Sequence, residues 1–138
     1  MAKQLDQILV IDVESTCWEG EPPGDQEHEI IEIGLCLLYV RSCSRGENLS
    51  ILVSTQRSTI SNYCTKLTTL TQDDVGSGIS LSEACQLLRE NFGSRERLWA
   101  SYGDYDRKQF ERDCLALGAD YPFGSGHINV KSLFAVVH

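Results

Sequence analysis

The sequence predicts a single α/β domain built on a β-sheet of mixed strand direction. Three apolar runs between residues 7 and 55 predict a meander, because apolar runs bounded by turn residues are typical of strands. Helix-like and strand-like segments then alternate, an order that is typical of an α/β sheet. With 138 residues and an apolar fraction of 41%, the chain is long enough to bury one core, so we predict one domain over residues 1–138.

The first two strands are predicted from the longest apolar runs. The first run is QILVIDVE at residues 7–14, and the second is IIEIGLCLLYV at residues 30–40. The near-continuous apolarity of the second run predicts burial on both of its faces. Residues 17–29, between the two runs, contain a Pro-Pro-Gly sequence, which predicts a loop.

The middle of the chain predicts one more strand, followed by a segment whose apolar spacing is helix-like. Gly46 and Asn48 predict a turn, with the third strand following at residues 49–55. Residues 60–75 have short, helix-like apolar spacing, with polar residues that can cap a helix or form a turn.

The second half alternates helices and strands. Residues 76–92 predict a helix that begins with a capping box, with Ser80 as the cap and Glu83 as its third helical residue. A fourth strand follows at residues 97–102, and then a helix at residues 105–118 that a terminal glycine ends.

The last segment predicts a short fifth strand at residues 127–130 and a helix at residues 131–138. That helix keeps an apolar face at Leu133, Phe134, Val136 and Val137 up to the last residue. We therefore expect the domain to be incomplete at its C-terminal end.

Charge and cysteine usage narrow the functional classes. The net charge of −8 argues against a broad basic surface for nucleic acid and against a polybasic membrane patch. It leaves room for a nucleic-acid enzyme whose positive charge is supplied by bound divalent metal ions. Six cysteines without a C-x-x-C pair do not predict a zinc site. The N-terminal apolar stretch is too short for a signal peptide, so we predict a cytoplasmic protein with reduced thiols and no membrane partner.

Two carboxylates at the end of the first predicted strand are the main candidates for chemistry. Successive strand side chains point to opposite faces, so Asp12 and Glu14 share a face and repel each other unless a cation or a proton lies between them. Ser15 and Thr16 follow, where hydroxyls and backbone N–H groups can meet a phosphate or sugar. A second acidic cluster at residues 103–110 follows the fourth predicted strand, and such strand ends converge on one crevice. The alternative interpretation is a pair of solvated strand-end acids.

Four segments of the chain resemble one family. VIDVESTCWEG, HEIIEIG, YCTKLTTLTQDDV and SYGDYDRKQFERDC are similar to motifs of the DEDDh-type 3′–5′ exonucleases, within the branch of the histone-mRNA exoribonuclease and of bacterial relatives named as inhibitors of a sporulation-kinase pathway. The resemblance runs from Ile8 to about Phe134. It implies an RNase H-like fold with helices packed on a mixed five-stranded sheet. It also implies two divalent cations, Mg²⁺ or Mn²⁺, and the 3′ end of single-stranded RNA or DNA as substrate.

The resemblance also implies roles for particular residues. Asp12 and Glu14 match the first acidic motif, and Asp106 matches the second because it follows an aromatic residue and precedes Phe110 at the family spacing. Asp104 is the competing candidate. In such sites two metal ions lie ~3.5–4 Å apart, one activating water and the other stabilising the leaving oxygen, and hard carboxylate oxygens suit Mg²⁺ or Mn²⁺.

Substrate contacts are implied for Tyr63 and Leu67, which would wedge the terminal base, and for Tyr105 nearby. Ser15 and Thr16 complete the predicted substrate-binding set. The alternative for Tyr63 and Leu67 is core packing, since both positions also fit the buried face of a short helix.

The third motif of the family, a His followed five residues later by an Asp, is not matched by His28, His127 or His138. A missing general base costs ~10²–10⁴ in rate, so we expect these 138 residues to be inactive or badly impaired as an enzyme. The leading hypothesis for the protein is a 3′–5′ exoribonuclease using two metal ions. The alternative is a catalytically deficient nuclease-fold protein that binds nucleic acid or regulates another factor.

Overall fold

A computed structural model describes residues 4–138, and residues 1–3 of the predicted domain lie outside the described part of the chain. The strands are β1 (Gln4–Ser15), β2 (Ile30–Tyr39), β3 (Ser44–Leu52), β4 (Arg97–Ser101) and β5 (His127–Asn129). The helices are α1 (Asn62–Thr68), α2 (Gln72–Gly76), α3 (Leu81–Phe92), α4 (Tyr105–Leu117) and α5 (Val130–Val137). The strands form one five-stranded sheet in the order β3-β2-β1-β4-β5, which confirms the predicted mixed α/β architecture.

Strand β1 lies at the centre of the sheet and carries the predicted acids at its C-terminal end. It pairs antiparallel with β2 and parallel with β4, so its backbone is held on both sides. The pairing register with β2 shifts between Glu14 and Ser15, and a bulge of this kind re-aims side chains where a strand leaves the sheet. The end of β1 is therefore a rigid frame for the residues that follow.

The third strand begins five residues earlier than predicted. It starts at Ser44, so Gly46 and Asn48 lie within the strand and the predicted turn at these residues is wrong. The chain reverses instead at residues 40–43, where Cys43 has a φ of 54°. Most of β3 is exposed, and a solvent-exposed edge strand lacks the apolar alternation on which the prediction relied.

Beyond Ile30 and Ile31, which are both buried, strand β2 is buried on one face only, which corrects the prediction of burial on both faces. Ile33, Leu35 and Leu37 are buried, whereas the intervening side chains are half-exposed. Helices α3 and α4 contribute to the core on the buried face. The half-open face of the sheet is the one to which Asp12 and Glu14 belong.

The main core lies between the sheet and the two longer helices. Trp99 is fully buried, with its ring stacked on Phe123 at 3.9 Å between centroids and edge-on to Phe110. The predicted capping box of α3 is present, because the Ser80 hydroxyl accepts from the Glu83 backbone N–H and the Glu83 side chain accepts from the Ser80 N–H. Helix α4 ends at Gly118, which has a φ of 66°, as predicted.

Helix α5 lies against β4 and β5 and has no buried residue. Its apolar side chains are exposed at Leu133, Phe134, Val136 and Val137, as the sequence predicted. Within residues 4–138, no helix has the length and apolarity needed to cross a bilayer.

Candidate active site

The two acids of β1 lie on the half-open face of the sheet. Asp12 is exposed and pairs in register with Gly34 of β2. A Cβ atom at Gly34 would lie 3.2 Å from the Asp12 carbonyl oxygen, so glycine leaves room on the β2 side of this acid. Two residues along, Glu14 is half-exposed and pairs in register with Glu32.

Glu14 lies in a strongly negative environment. Burial raises the pKa of its carboxyl, and the neighbouring charges of Asp12 and Glu32 raise it further. Glu32 accepts a hydrogen bond from the Ser50 hydroxyl at 2.8 Å, which holds its side chain on the same face. A raised carboxyl pKa means that the charged form is disfavoured until a cation arrives.

Asp106 approaches the same acids from the first turn of α4. Its side chain is 8% exposed, and burial, followed by the charge of Asp12, raises its pKa to about 6. A hydrogen bond from the Val13 backbone N–H lowers that pKa and the charge of Glu14 raises it. The structure therefore brings the three predicted acids into one electrostatically coupled group.

Asp104, the competing candidate, lies outside this group. It occupies the N-cap position of α4 without a side-chain capping bond. Its carboxylate is directed to Arg107 at 3.8 Å and to His127 at 4.0 Å. The half-exposed charge of Asp104 thus lies near the Arg107 guanidinium, whereas the carboxyl of Asp106 faces other carboxylates.

The donor set of the acidic group suits a hard divalent cation. Within residues 4–138, no three His, Cys, Asp or Glu side chains stand in an arrangement that would already hold a metal ion. The chemistry nevertheless fits, since Asp12, Glu14 and Asp106 offer only carboxylate oxygens. A cation beside them would relieve the repulsion that raises the pKa of Asp106.

The two hydroxyl residues after Glu14 have different environments. The Ser15 side chain is buried, and its oxygen has no hydrogen-bond partner among residues 4–138. Thr16 is fully buried, and its hydroxyl accepts from the Glu29 backbone N–H at 2.9 Å. The Thr16 hydroxyl is therefore already hydrogen-bonded within the protein, and we expect its contribution to substrate binding to be indirect.

The predicted wedge residues are exposed beside the end of β1. Tyr63 is 37% exposed and Leu67 is 62% exposed, so the alternative of core packing is wrong for both. Helix α1, which carries them, is attached to the end of β1 by a hydrogen bond of 2.7 Å from the Ser61 hydroxyl to the Cys17 carbonyl. Tyr105, at the start of α4, is also half-exposed.

All three histidines have local contacts. His127 is 2.8 Å from the Ser101 hydroxyl through Nε2 and packs against the Trp99 ring. His28 bonds to the Thr16 carbonyl through Nδ1 at 2.6 Å, and His138 stacks on Phe134. Each has a structural partner, in line with the sequence, which matched none of them to a catalytic motif.

A charged group beside the site was not predicted from the sequence. It is formed by the buried acids Glu29 and Asp113 and the half-buried Arg57. The only signal was an acid directly before the apolar run of β2, because the partners of Glu29 lie far away in the sequence.

Comparison with known families and proteins gives a consistent result. The family model of the RNase T exonucleases matches residues 9–135. The 3′–5′ exoribonuclease 1 of Homo sapiens is 39% identical over 139 residues, which cover 94% of this chain and 39% of that protein. The Rattus norvegicus protein of the same name is 30% identical over 94% of this chain and 40% of its own length. The chain thus spans about 40% of these relatives.

Solved structures are similar over nearly the whole chain. The nuclease domain of 3′hExo, a DEDDh family member bound to rAMP, superposes with a TM-score of 0.82 at 26% identity, over 99% of this chain and 72% of that one. A 3′-exonuclease described in 3′-end recognition of a histone mRNA stem-loop gives 0.79 at 27% identity, over 95% of this chain and 62% of its own. Exonuclease I, at 8% identity and a TM-score of 0.71, shares the fold.

Proposed function

Because the chain belongs to the DEDDh 3′–5′ exonucleases of the RNase T superfamily, we propose that it forms the acidic part of an exonuclease site for single-stranded RNA, with DNA as the second candidate. The observation that carries this proposal is the convergence of Asp12, Glu14 and Asp106 from two separate elements. Burial of Asp106, followed by the charge of Asp12, raises the pKa of the Asp106 carboxyl to about 6. A buried carboxyl that faces two further carboxylates is costly and is typical of sites that bind cations.

The three acids would hold Mg²⁺ or Mn²⁺. Two such ions, when bound, supply an activated water and stabilise the oxygen that leaves the cleaved phosphodiester. Asp12 is exposed and open to solvent-borne ions. Asp106 would retain a proton below about pH 6, and a protonated carboxyl is a poor ligand. Metal binding should therefore weaken as the pH falls through that value.

Apolar and aromatic side chains would bind the single-stranded nucleic acid. Tyr63, Leu67 and Tyr105 are exposed; helix α1 is attached to the end of β1, and Tyr105 directly precedes Asp106. Stacking of a base on an aromatic ring contributes ~1–3 kcal/mol with little sequence preference. Since the chain carries a net charge of −8, the cations themselves would attract the phosphates.

A second candidate function is supported by the histidines. Neither His28 nor His127 is followed five residues later by an aspartate, and both have local contacts. A chain without this pair would bind metal and nucleic acid but hydrolyse slowly, which suits a nucleic-acid-binding or regulatory role. The cytoplasmic location stays a prediction.

The test is a Mn²⁺-dependent digestion of 5′-labelled single-stranded RNA, together with Mn²⁺ binding by calorimetry. We expect Mn²⁺ binding that Asp12→Asn abolishes. Asp6→Asn is the matched control, since Asp6 lies on the same strand but pairs with Arg97 at 3.0 Å. A ladder of shortened products that Asp12→Asn removes would support the exonuclease, whereas Mn²⁺ and RNA binding without a ladder would support the second candidate. Mn²⁺ affinity that is equal in both variants would overturn the metal site.

A further inference from the structure

A buried carboxylate holds the loop that leads into α1. Glu29 is 2% exposed and precedes β2. Its carboxylate accepts from the backbone N–H of Gln56 at 3.0 Å and from that of Arg57 at 2.9 Å. The Ser58 hydroxyl lies 2.6 Å from the same carboxylate. These residues have no regular secondary structure, so without Glu29 their buried polar groups would lack partners.

Arg57 connects the same loop to α4. Its guanidinium donates to Asp113 at 2.9 Å and to Glu27 at 2.8 Å. Asp113 is almost fully buried, and it also accepts from the Ile30 backbone N–H at 2.7 Å. Asp113 lies seven residues, or two helical turns, after Asp106 on the buried face of α4. The contact therefore fixes the helix that carries the third acid of the site.

The other side of the network reaches the end of β1. The Ser58 hydroxyl is 3.1 Å from the Thr16 hydroxyl, and the Thr16 hydroxyl accepts from the Glu29 backbone N–H. Thr16 follows Glu14 by two residues. The network of Thr16, Glu29, Arg57, Ser58 and Asp113 thus joins the end of β1 and helix α4, which carry the three acids, to the loop before α1, the helix that carries Tyr63 and Leu67.

We propose that Glu29 and Arg57 are positioning residues for substrate binding, which hold α1 so that Tyr63 and Leu67 face the acids. This inference rests on the proposed function. Burying these charges is unfavourable unless each is paired and hydrogen-bonded, and apolar side chains of similar volume would fill the space without satisfying the loop N–H groups. The network therefore does what packing alone would not, which is to fix one loop conformation.

The experiment compares Glu29→Gln with the unchanged chain in two measurements. Amide hydrogen exchange reports on the N–H groups of Gln56 and Arg57, and fluorescence anisotropy in Mn²⁺ reports on the affinity for 5′-labelled single-stranded oligo(U). We expect faster exchange at both amides and roughly a tenfold loss of RNA affinity, the size of one lost base contact. Mn²⁺ affinity should be unchanged, because the contacts of Asp113 with Arg57 and Ile30 that hold α4 are made without the Glu29 carboxylate.

Two further variants separate positioning from general stability. Ser58→Ala removes one donor and should give a smaller loss of RNA affinity, and it replaces Glu29→Gln if that variant does not fold. Leu88→Ala opens the core without removing a member of the network, and it should lower the melting temperature without changing RNA affinity. An equal loss of RNA affinity in Leu88→Ala would overturn this inference but not the proposed function. Unchanged RNA affinity in Glu29→Gln and Ser58→Ala would do the same. Absence of RNA binding by the unchanged chain would overturn the proposed function and the inference with it.

Discussion

Asp106 is the residue whose charge is most unfavourable in the folded protein. Its carboxyl is buried against the end of β1 and faces the charges of Asp12 and Glu14. The first turn of α4 offsets part of this cost, since a helix N-terminus favours negative charge. A side chain that is unfavourable for folding and yet suited to a cation is what a metal-binding site requires.

Replacing Asp106 by Asn should therefore stabilise the metal-free protein at pH 7.5. The folded-state pKa is about 6 against an ordinary value of 3.8, so the charged form destabilises the fold above pH 6. At ~1.4 kcal/mol per pKa unit, the upper limit of the gain is about 3 kcal/mol. The stability gained by Asp106→Asn should shrink as the pH falls from 6. It should vanish below about 4, where the Asp106 carboxyl is protonated in both the folded and the unfolded chain.

Urea denaturation at several pH values measures this difference. Asp104→Asn is the control, because its half-exposed carboxylate lies near Arg107 and His127, and it should give no comparable gain. A destabilised Asp106→Asn at pH 7.5 would contradict the electrostatic account of the site.

Tyr63 offers a test of substrate binding. Because Tyr63 is 37% exposed, Tyr63→Ala should cost less stability than the ~3–5 kcal/mol of truncating a fully buried aromatic side chain. If a base stacks on its ring, the same change should weaken binding of single-stranded RNA by ~1–3 kcal/mol. Tyr39→Ala is the matched control, since Tyr39 is 38% exposed at the end of β2 away from Glu32. Equal RNA affinities of the two variants would argue against the wedge.

At the scale of elements, helix α3 is specified by its own sequence. The capping box of Ser80 and Glu83 satisfies two backbone N–H groups at its start, and Gly93 ends it with a φ of 56°. Its buried residues Leu81, Ala84, Cys85 and Leu88 recur at helical spacing. All of these signals are local, which is why the helix was predicted correctly.

The cap should be measurable by itself. Ser80→Ala removes the oxygen that accepts from the Glu83 N–H and should lower the free energy of unfolding by about 1 kcal/mol. Ser82→Ala, two residues along on the exposed side of α3, should have little effect. Chemical denaturation of both variants gives the comparison, and equal stabilities would show that the cap is dispensable.

At the scale of the whole molecule, an irregular segment completes the core. Phe123 lies in the chain between α4 and β5, outside any helix or strand. Its ring nevertheless stacks on Trp99 and lies edge-on to Phe110. The stability of the sheet and of α4 therefore depends on residues that no periodic pattern marks as buried.

Phe123→Ala should lower the free energy of unfolding by about 3–5 kcal/mol, through lost burial and the cavity left behind. This is a large fraction of the 5–15 kcal/mol that is typical of a domain. Leu115→Ala serves as the control, because Leu115 is 87% exposed on α4 and should change stability little. Thermal or urea unfolding followed by Trp fluorescence measures both, and a mild effect at Phe123 would mean that the segment is not part of the cooperative core.

The sequence by itself determined the features that depend on near neighbours. The strand period of two puts Asp12 and Glu14 on one face, the capping box starts α3, and a glycine ends α4. The acidic motifs and their order were also enough to indicate the family, and the aromatic residue before Asp106 favoured it over Asp104.

Only the tertiary structure decided the rest, because it depends on contacts between distant segments. The start of β3 was missed since an exposed edge strand needs no apolar pattern, and the half-open face of β2 follows from where the helices pack. The burial of Thr16 and the pairing of Arg57 with Asp113 join residues far apart in the chain. The raised pKa of Asp106 arises in the same way, since a carboxyl's charge is set by the neighbours that folding places around it.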